Sequence, residues 1–75
     1  MLIADTVGTA RNIRRLMSDR NVGVSSIVQE LRIHRATVYA WMNGNVIPNV
    51  NHCVALCNLL DCSLDDLVEK KEEEW

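Results

Sequence analysis

The sequence predicts an all-α fold, a compact bundle of five short helices. Three observations carry that prediction. Apolar residues recur at helical spacing along most of the 75-residue chain. Runs of strand-like alternation are absent. Helix start and stop signals divide the chain at short intervals. With no Phe, one Tyr and two Trp, the core must be built from Leu, Ile, Val, Ala, Met and Cys. A chain of this length makes one domain and is only marginally able to bury a core of its own. The expected organisation is a single domain over residues 1–75, with a core from about 5 to 69 and an acidic tail from 70 to 75.

Helix 1 starts near Asp5 or Thr6, either of which can accept hydrogen bonds from free N–H groups as an N-cap. Its stripe is Ala10, Ile13, Leu16 and Met17, with Arg11, Arg14 and Arg15 off the stripe. Residues 21–23 end it. Helix 2 runs from about Val24 to Leu31, with Ser25 and Ser26 in its first turn and Val24, Ile27, Val28 and Leu31 on its apolar side. Helix 3 begins after His34 and stops at Asn43 and Gly44. A loop through Asn45, Val46, Ile47 and Pro48 leads to Asn49, the expected N-cap of helix 4. That helix puts Val50, Cys53, Leu56, Cys57 and Leu60 on one face. Asp61 and Cys62 break it. Ser63 caps helix 5, Asp65 and Asp66 sit in its first turn where the dipole favours anions, and Leu64, Leu67 and Val68 face inward. Residues 69–75 read as a charged tail that can extend helix 5.

Only Arg32, Ile33 and His34 separate helices 2 and 3, too few for an independent loop. Two short helices joined this tightly cross steeply, which is the helix-turn-helix shape. One helix of such a pair can project into a DNA major groove. On helix 3, Arg35, Ala36, Tyr39 and Ala40 share one face, while Val38, Trp41 and Met42 share the other. The second set is the core side.

The formal net charge of −2 argues by itself weakly against a nucleic-acid partner, but the charge is unevenly distributed. Residues 1–35 hold six Arg against three acids, a balance of +3. Residues 61–75 hold two Lys against seven acids, a balance of −5. Residues 36–60 carry no formal charge. Arg suits phosphate and guanine recognition, although surface Arg is also common on any helix. The N-terminal stretch turns acidic too soon for a signal peptide. No apolar run approaches the roughly 20 residues of a membrane span. Three cysteines do not make a disulfide scaffold, so they are expected reduced and buried.

Residues 9 to 68 resemble, without a gap, the phage repressor and Cro-like helix-turn-helix family of XRE-type regulators, the lambda-repressor-like fold. The match rests on Ile13, Arg14 and Leu16, on Ile27, Val28 and Leu31, and on the run from Ile33 through Trp41. It continues through Asn43, Gly44, Pro48 and Asn49, and through the block from Leu56 to Leu67. The resemblance implies sequence-specific binding of double-stranded operator DNA, usually as a homodimer, with residues about 35–42 as the recognition helix. Carried over by position, Arg35, Ala36, Tyr39 and Ala40 match base-facing sites. His34 matches a phosphate-contacting cap, and Thr37 and Asn43 match backbone-positioning sites. Arg35 in the first turn can grip guanine O6 and N7, and either Ala can meet a thymine methyl.

This chain departs from the family pattern in three places. Val24 stands where Gln is common. The loop through Asn45, Val46 and Ile47 is uncharged where Lys or Arg is frequent, which leaves phosphate contacts to Asn43, Asn45, Asn49, Asn51, Arg14 and helix N-terminal N–H groups. Met17 and Met42 occupy the positions of a buried Arg–Glu pair of many relatives. Losing one ion alone strands a buried charge at a cost of about 3–5 kcal/mol, whereas replacing both with apolar residues can be neutral. Met17 and Met42 are therefore expected close together.

Other readings compete at several residues. Cys53, Cys57, Cys62 and His52 can be written as a zinc set, but Cys53 and Cys57 lie on an apolar stripe and His52 points about 100° from Cys53. Core thiols are the better account. His34 is either a pH-sensitive group or a simple cap and phosphate contact. Trp41 reads as a core anchor. Tyr39 is either DNA-facing or merely exposed. Val46, Ile47 and Trp75 are the candidate dimer surface. No cofactor, metal or small-molecule ligand is expected, and no paired carboxylates, phosphate loop or triad point to an enzyme. The expectation is a DNA-binding transcriptional regulator of the repressor or Cro type, cytoplasmic in a prokaryotic or phage setting and nucleoid-associated when bound. The alternative is a protein-interaction module on the same scaffold, an antitoxin subunit or adaptor.

Overall fold

The computed structural model describes residues 1–73. In chain order the elements are β1 (Leu2–Ala4), α1 (Thr6–Arg20), α2 (Val24–Leu31), α3 (Arg35–Met42), α4 (Val50–Leu60), α5 (Leu64–Leu67) and β2 (Lys70–Glu72). The long α1 packs against α3, α4 and α5, and α2 fills the remaining side against α3 and α4. The core is Ile13, Leu16 and Met17 from α1, Ile27 from α2, Val38 and Trp41 from α3, Cys53, Leu56 and Leu60 from α4, and Leu67 from α5. These are mainly the stripes read from periodicity. Met42 packs against the same cluster that contains Met17. Arg14, one turn before Met17, donates to the Met42 carbonyl. Met17 is thus a core residue, and Met42 is a half-buried residue at the edge of the same core.

Helix ends account for most of the boundaries. Asp5 is the N-cap of α1, its carboxylate accepting from the Gly8 N–H at 3.1 Å. Asn49 caps α4 by accepting from the His52 N–H at 2.8 Å. Ser63 and Asp66 form a reciprocal capping box on α5. At the other ends, α1, α2, α3 and α4 all close with a residue in the left-handed region: Asn21, Arg32, Gly44 and Asp61. In each case the next residue's N–H reaches back five positions, as in Val22 to Met17 at 2.8 Å and Cys62 to Cys57 at 3.0 Å. This is the Schellman closure, which satisfies carbonyls the helix leaves open. At Gly44 the conformation combines φ of 78° with a close approach, because an added Cβ would stand 3.4 Å from Val7 Cα.

Three expectations are corrected. Residues 70–72 do not extend helix 5. Val68 leaves α5 in an extended conformation, and β2 pairs antiparallel with β1, Leu2 opposite Glu72 and Ala4 opposite Lys70. The core expected at 5–69 therefore carries a two-stranded ribbon that joins both of its ends. Bonds from the Asp5 N–H to the Glu69 carbonyl at 2.8 Å and from Glu69 N–H to Thr9 Oγ1 at 3.0 Å tie that ribbon to α1. Buried Asn12 completes the seam by donating to the Leu67 carbonyl at 3.3 Å. Next, Val50 and Leu64 are not core residues, being 77% and 48% exposed. Each is the first residue of its helix and projects beyond the packed part of it. Finally, two arginines of the cationic half have structural partners. Arg14 closes the C-terminus of α3, and Arg20 donates to the Leu60 and Asp61 carbonyls at 2.9 and 3.3 Å, closing α4. Cations at helix C-termini complement the dipole there.

Candidate nucleic-acid interface

The α2–α3 unit is set by its turn. Arg32 adopts φ of 55°, ending α2, and Ile33 packs on the core. His34 is extended, at the N-cap of α3. From this turn α3 leaves with Val38 fully buried and Trp41 only 2% exposed. The ring of Trp41 lies 5.3 Å from that of His52, tilted by 51°. The opposite side of α3 is open. Arg35, Ala36 and Tyr39 are exposed, and Thr37 and Ala40 are half-buried at its margins. Asn43 and Asn45 are exposed just beyond the helix.

The N-termini of α2 and α3 differ from those of the other helices. Gly23 has no side chain to cap α2, and His34 makes no side-chain capping bond on α3. Their first N–H groups therefore lack the side-chain acceptors found on α1, α4 and α5, and present the positive end of each dipole outward. One bond brings the two ends together: Arg35 Nη2 donates to Ser25 Oγ at 3.1 Å. Ser25, in the first turn of α2, thus positions the guanidinium that the sequence assigned to α3 alone. The signals for it were a Gly at the cap position and a hydroxyl in the first turn of α2. An array of bare N–H groups beside a guanidinium can receive phosphate oxygens, and a slim face flanked by Arg35 can lie against base edges.

Among the expected site residues, Arg35, Ala36 and Tyr39 share the open face with Ala40 at its edge, and His34 stands at its start. Thr37 is half-buried beside them. Arg14 is directed to the Met42 carbonyl and lies at the far end of α3. Val46 is 49% exposed and Ile47 half-buried in the loop after α3. Trp75 lies outside the described residues. Of the residues weighed as a zinc set, Cys53 donates its Sγ–H to the Pro48 carbonyl at 3.3 Å, and the His52 ring lies tilted against that of Trp41. Among the described residues no three His, Cys, Asp or Glu side chains converge on one point, and no helix is long and apolar enough to cross a membrane.

A bundle of five helices whose second and third form a tight pair, with the third open on one side, defines a helix-turn-helix domain. The family model of the Cro/C1-type HTH DNA-binding domain matches residues 12–73. The chain belongs to that family, which makes it a DNA-binding regulator in general terms. Neither the curated proteins nor the solved structures compared with it gave a match.

Proposed function

We propose that the protein is a sequence-specific, repressor-like or Cro-like transcriptional regulator that inserts α3 into the major groove of an operator. The observation that carries this reading is the asymmetry of α3: Val38 and Trp41 are sealed in the core while Arg35, Ala36 and Tyr39 are open. Arg35 reads guanine, Ala36 and Ala40 admit thymine methyls, and Tyr39 contacts the edge of the site. His34, Thr37, Asn43 and Asn45, with the bare N-termini of α2 and α3, hold the phosphates. Arg14 acts by fixing the C-terminus of α3. With few cations free for phosphate, the salt dependence is shallow, at about −0.9 in slope per neutralised phosphate.

Binding as a homodimer fits the open groove of ≈ 360 Å³ lined by Ile47, Pro48, Val50, Leu64 and Val68, beside exposed Val46 and Val54. Lys70 and Asp65, which also line it, are ion-paired with each other at 3.3 Å, so the groove carries little net charge against a second copy. The setting in this reading is the cytoplasm. A second reading, an antitoxin subunit or adaptor without specific DNA binding, draws support from the engagement of Arg14 and Arg20 in helix capping.

Selection from a random duplex library separates the two. The wild-type chain enriches one motif, and Arg35→Ala loses discrimination at a guanine by about 1–3 kcal/mol while remaining folded by circular dichroism. Enrichment that survives Arg35→Ala unchanged refutes the base-reading role, and no enrichment from the wild type favours the adaptor.

A further inference from the structure

The Schellman closures differ in one respect. In each, the third residue from the helix end and the second residue beyond it are brought side by side, and an apolar contact commonly fills that spot. On α1 the pair is Met17 and Val22, on α2 it is Val28 and Ile33, and on α3 it is Ala40 and Asn45. On α4 it is Cys57 and Cys62. The Cys62 N–H donates to the Cys57 carbonyl at 3.0 Å. Standard bond lengths then hold the two Cα atoms within about 7 Å, the limit beyond which a disulfide needs backbone movement. Both cysteines are free, and both residues are half-buried, not sealed in the core. The third cysteine is separately engaged, buried with its thiol on the Pro48 carbonyl.

We propose that Cys57 and Cys62 form a dithiol site that closes to an intramolecular disulfide by exchange with a low-molecular-weight disulfide such as oxidised glutathione. One cysteine thiolate attacks a glutathione sulfur, and the glutathione disulfide bond breaks to release one glutathione thiolate. The second cysteine thiolate then attacks the protein sulfur of the mixed disulfide and expels the other. The protein loses two electrons and two protons, and one oxidised glutathione becomes two reduced ones. The ring so closed contains Leu60 and Asp61, whose carbonyls accept from Arg20. Oxidation therefore closes a covalent ring around the two carbonyls that Arg20 caps.

The surroundings make the reduced pair quiet. Burial pushes the Cys62 thiol up to about 11, reinforced by the bond and charge of Cys57 and by Asp66 of α5, against Arg20 of α1, which lowers it. Burial likewise raises Cys57, with Cys53 and Asp66 adding to the rise and the Cys62 thiol opposing it. Thiolate is scarce at neutral pH, so the exchange speeds up as the solution is made alkaline.

The test treats the full folded chain with oxidised glutathione at neutral and alkaline pH and follows intact mass and disulfide-linked peptides. Loss of two hydrogens, one remaining free thiol and a Cys57–Cys62 peptide are expected, and Cys53→Ser gives the same result. Cys57→Ser and Cys62→Ser, folded by circular dichroism, stop at a glutathione adduct. In denaturant the wild-type chain scrambles among its three thiols. A persistent adduct on the folded wild type, a bridge through Cys53, the same scrambling in the folded chain, or no oxidation at either pH overturns the proposal.

Discussion

The frame of the molecule and its α2–α3 unit close their helices in different ways. On α1, α4 and α5 a side chain of Asp5, Asn49 or Ser63 accepts from one N–H of the first turn, so the frame caps its own N-termini. On α2 and α3 the cap positions hold Gly23 and His34 and supply no such acceptor. The C-termini show no such contrast, since α1 to α4 all end in the same left-handed closure. The difference is thus confined to the positive ends of two helices, which Arg35 and Ser25 link. A helix end left without a side-chain acceptor carries an outward donor array, the kind of surface that can receive an anion.

Perturbations of the two regions should separate stability from binding. The largest effect is expected at the hinge between them. Trp41→Ala empties the buried side of α3 and costs about 3–5 kcal/mol, a large share of the stability of so small a domain. Urea denaturation should show it, and a loss under 1 kcal/mol would mean that Trp41 does not anchor α3. In the frame, Asn49→Ala removes a cap and should cost about 1 kcal/mol. In the open unit, Gly23→Ser adds one. The backbone there has φ of −93°, and a Cβ meets nothing within 4 Å. Stability should rise by a few tenths of a kcal/mol while DNA affinity falls, because the new hydroxyl competes for the N–H groups. Equal or tighter DNA binding by Gly23→Ser would mean that the uncapped α2 N-terminus does not receive phosphate.

The smallest expected effect is acid loss of the frame's capping box. Hydrogen bonds from the Ser63 backbone, then from its side chain, hold the exposed Asp66 carboxyl below its ordinary range. A carboxyl depressed in the folded state stabilises above its unfolded value and loses that contribution as pH falls through the folded one. Thermal unfolding followed below about pH 4 should therefore show an acid-dependent decline that Asp66→Asn reduces. An identical decline in the variant would remove Asp66 as its source.

Most helix boundaries were legible in the sequence because their signals are local. Asn49 and Ser63 announce starts, and Asn21, Gly44 and Asp61 announce stops, within a few residues of the helix they serve. The open face of α3 was legible for the same reason, since period 3.6 separates Trp41 from Arg35 and Tyr39. What escaped depends on partners far along the chain. The β1–β2 ribbon consists of two three-residue strands, too short to show alternation, and joins residues about 70 positions apart. Arg14 and Arg20 read as free cations because the carbonyls they cap lie 28 and 40 residues away. Val50 and Leu64 fit their stripes in angle, but angle says nothing about whether a helix end overhangs its neighbours. The Arg35–Ser25 link required the crossing of two helices, which spacing implies only in outline.

In the proposed binding mode, DNA meets the uncapped ends of α2 and α3 and the open side of α3. Backbone amide shifts followed by NMR during titration with a random-sequence duplex at low salt test it most directly. The largest shifts are expected on residues 23–26 and 34–40. Shifts concentrated on the groove around Ile47, Val50 and Leu64, with α3 unmoved, would contradict it.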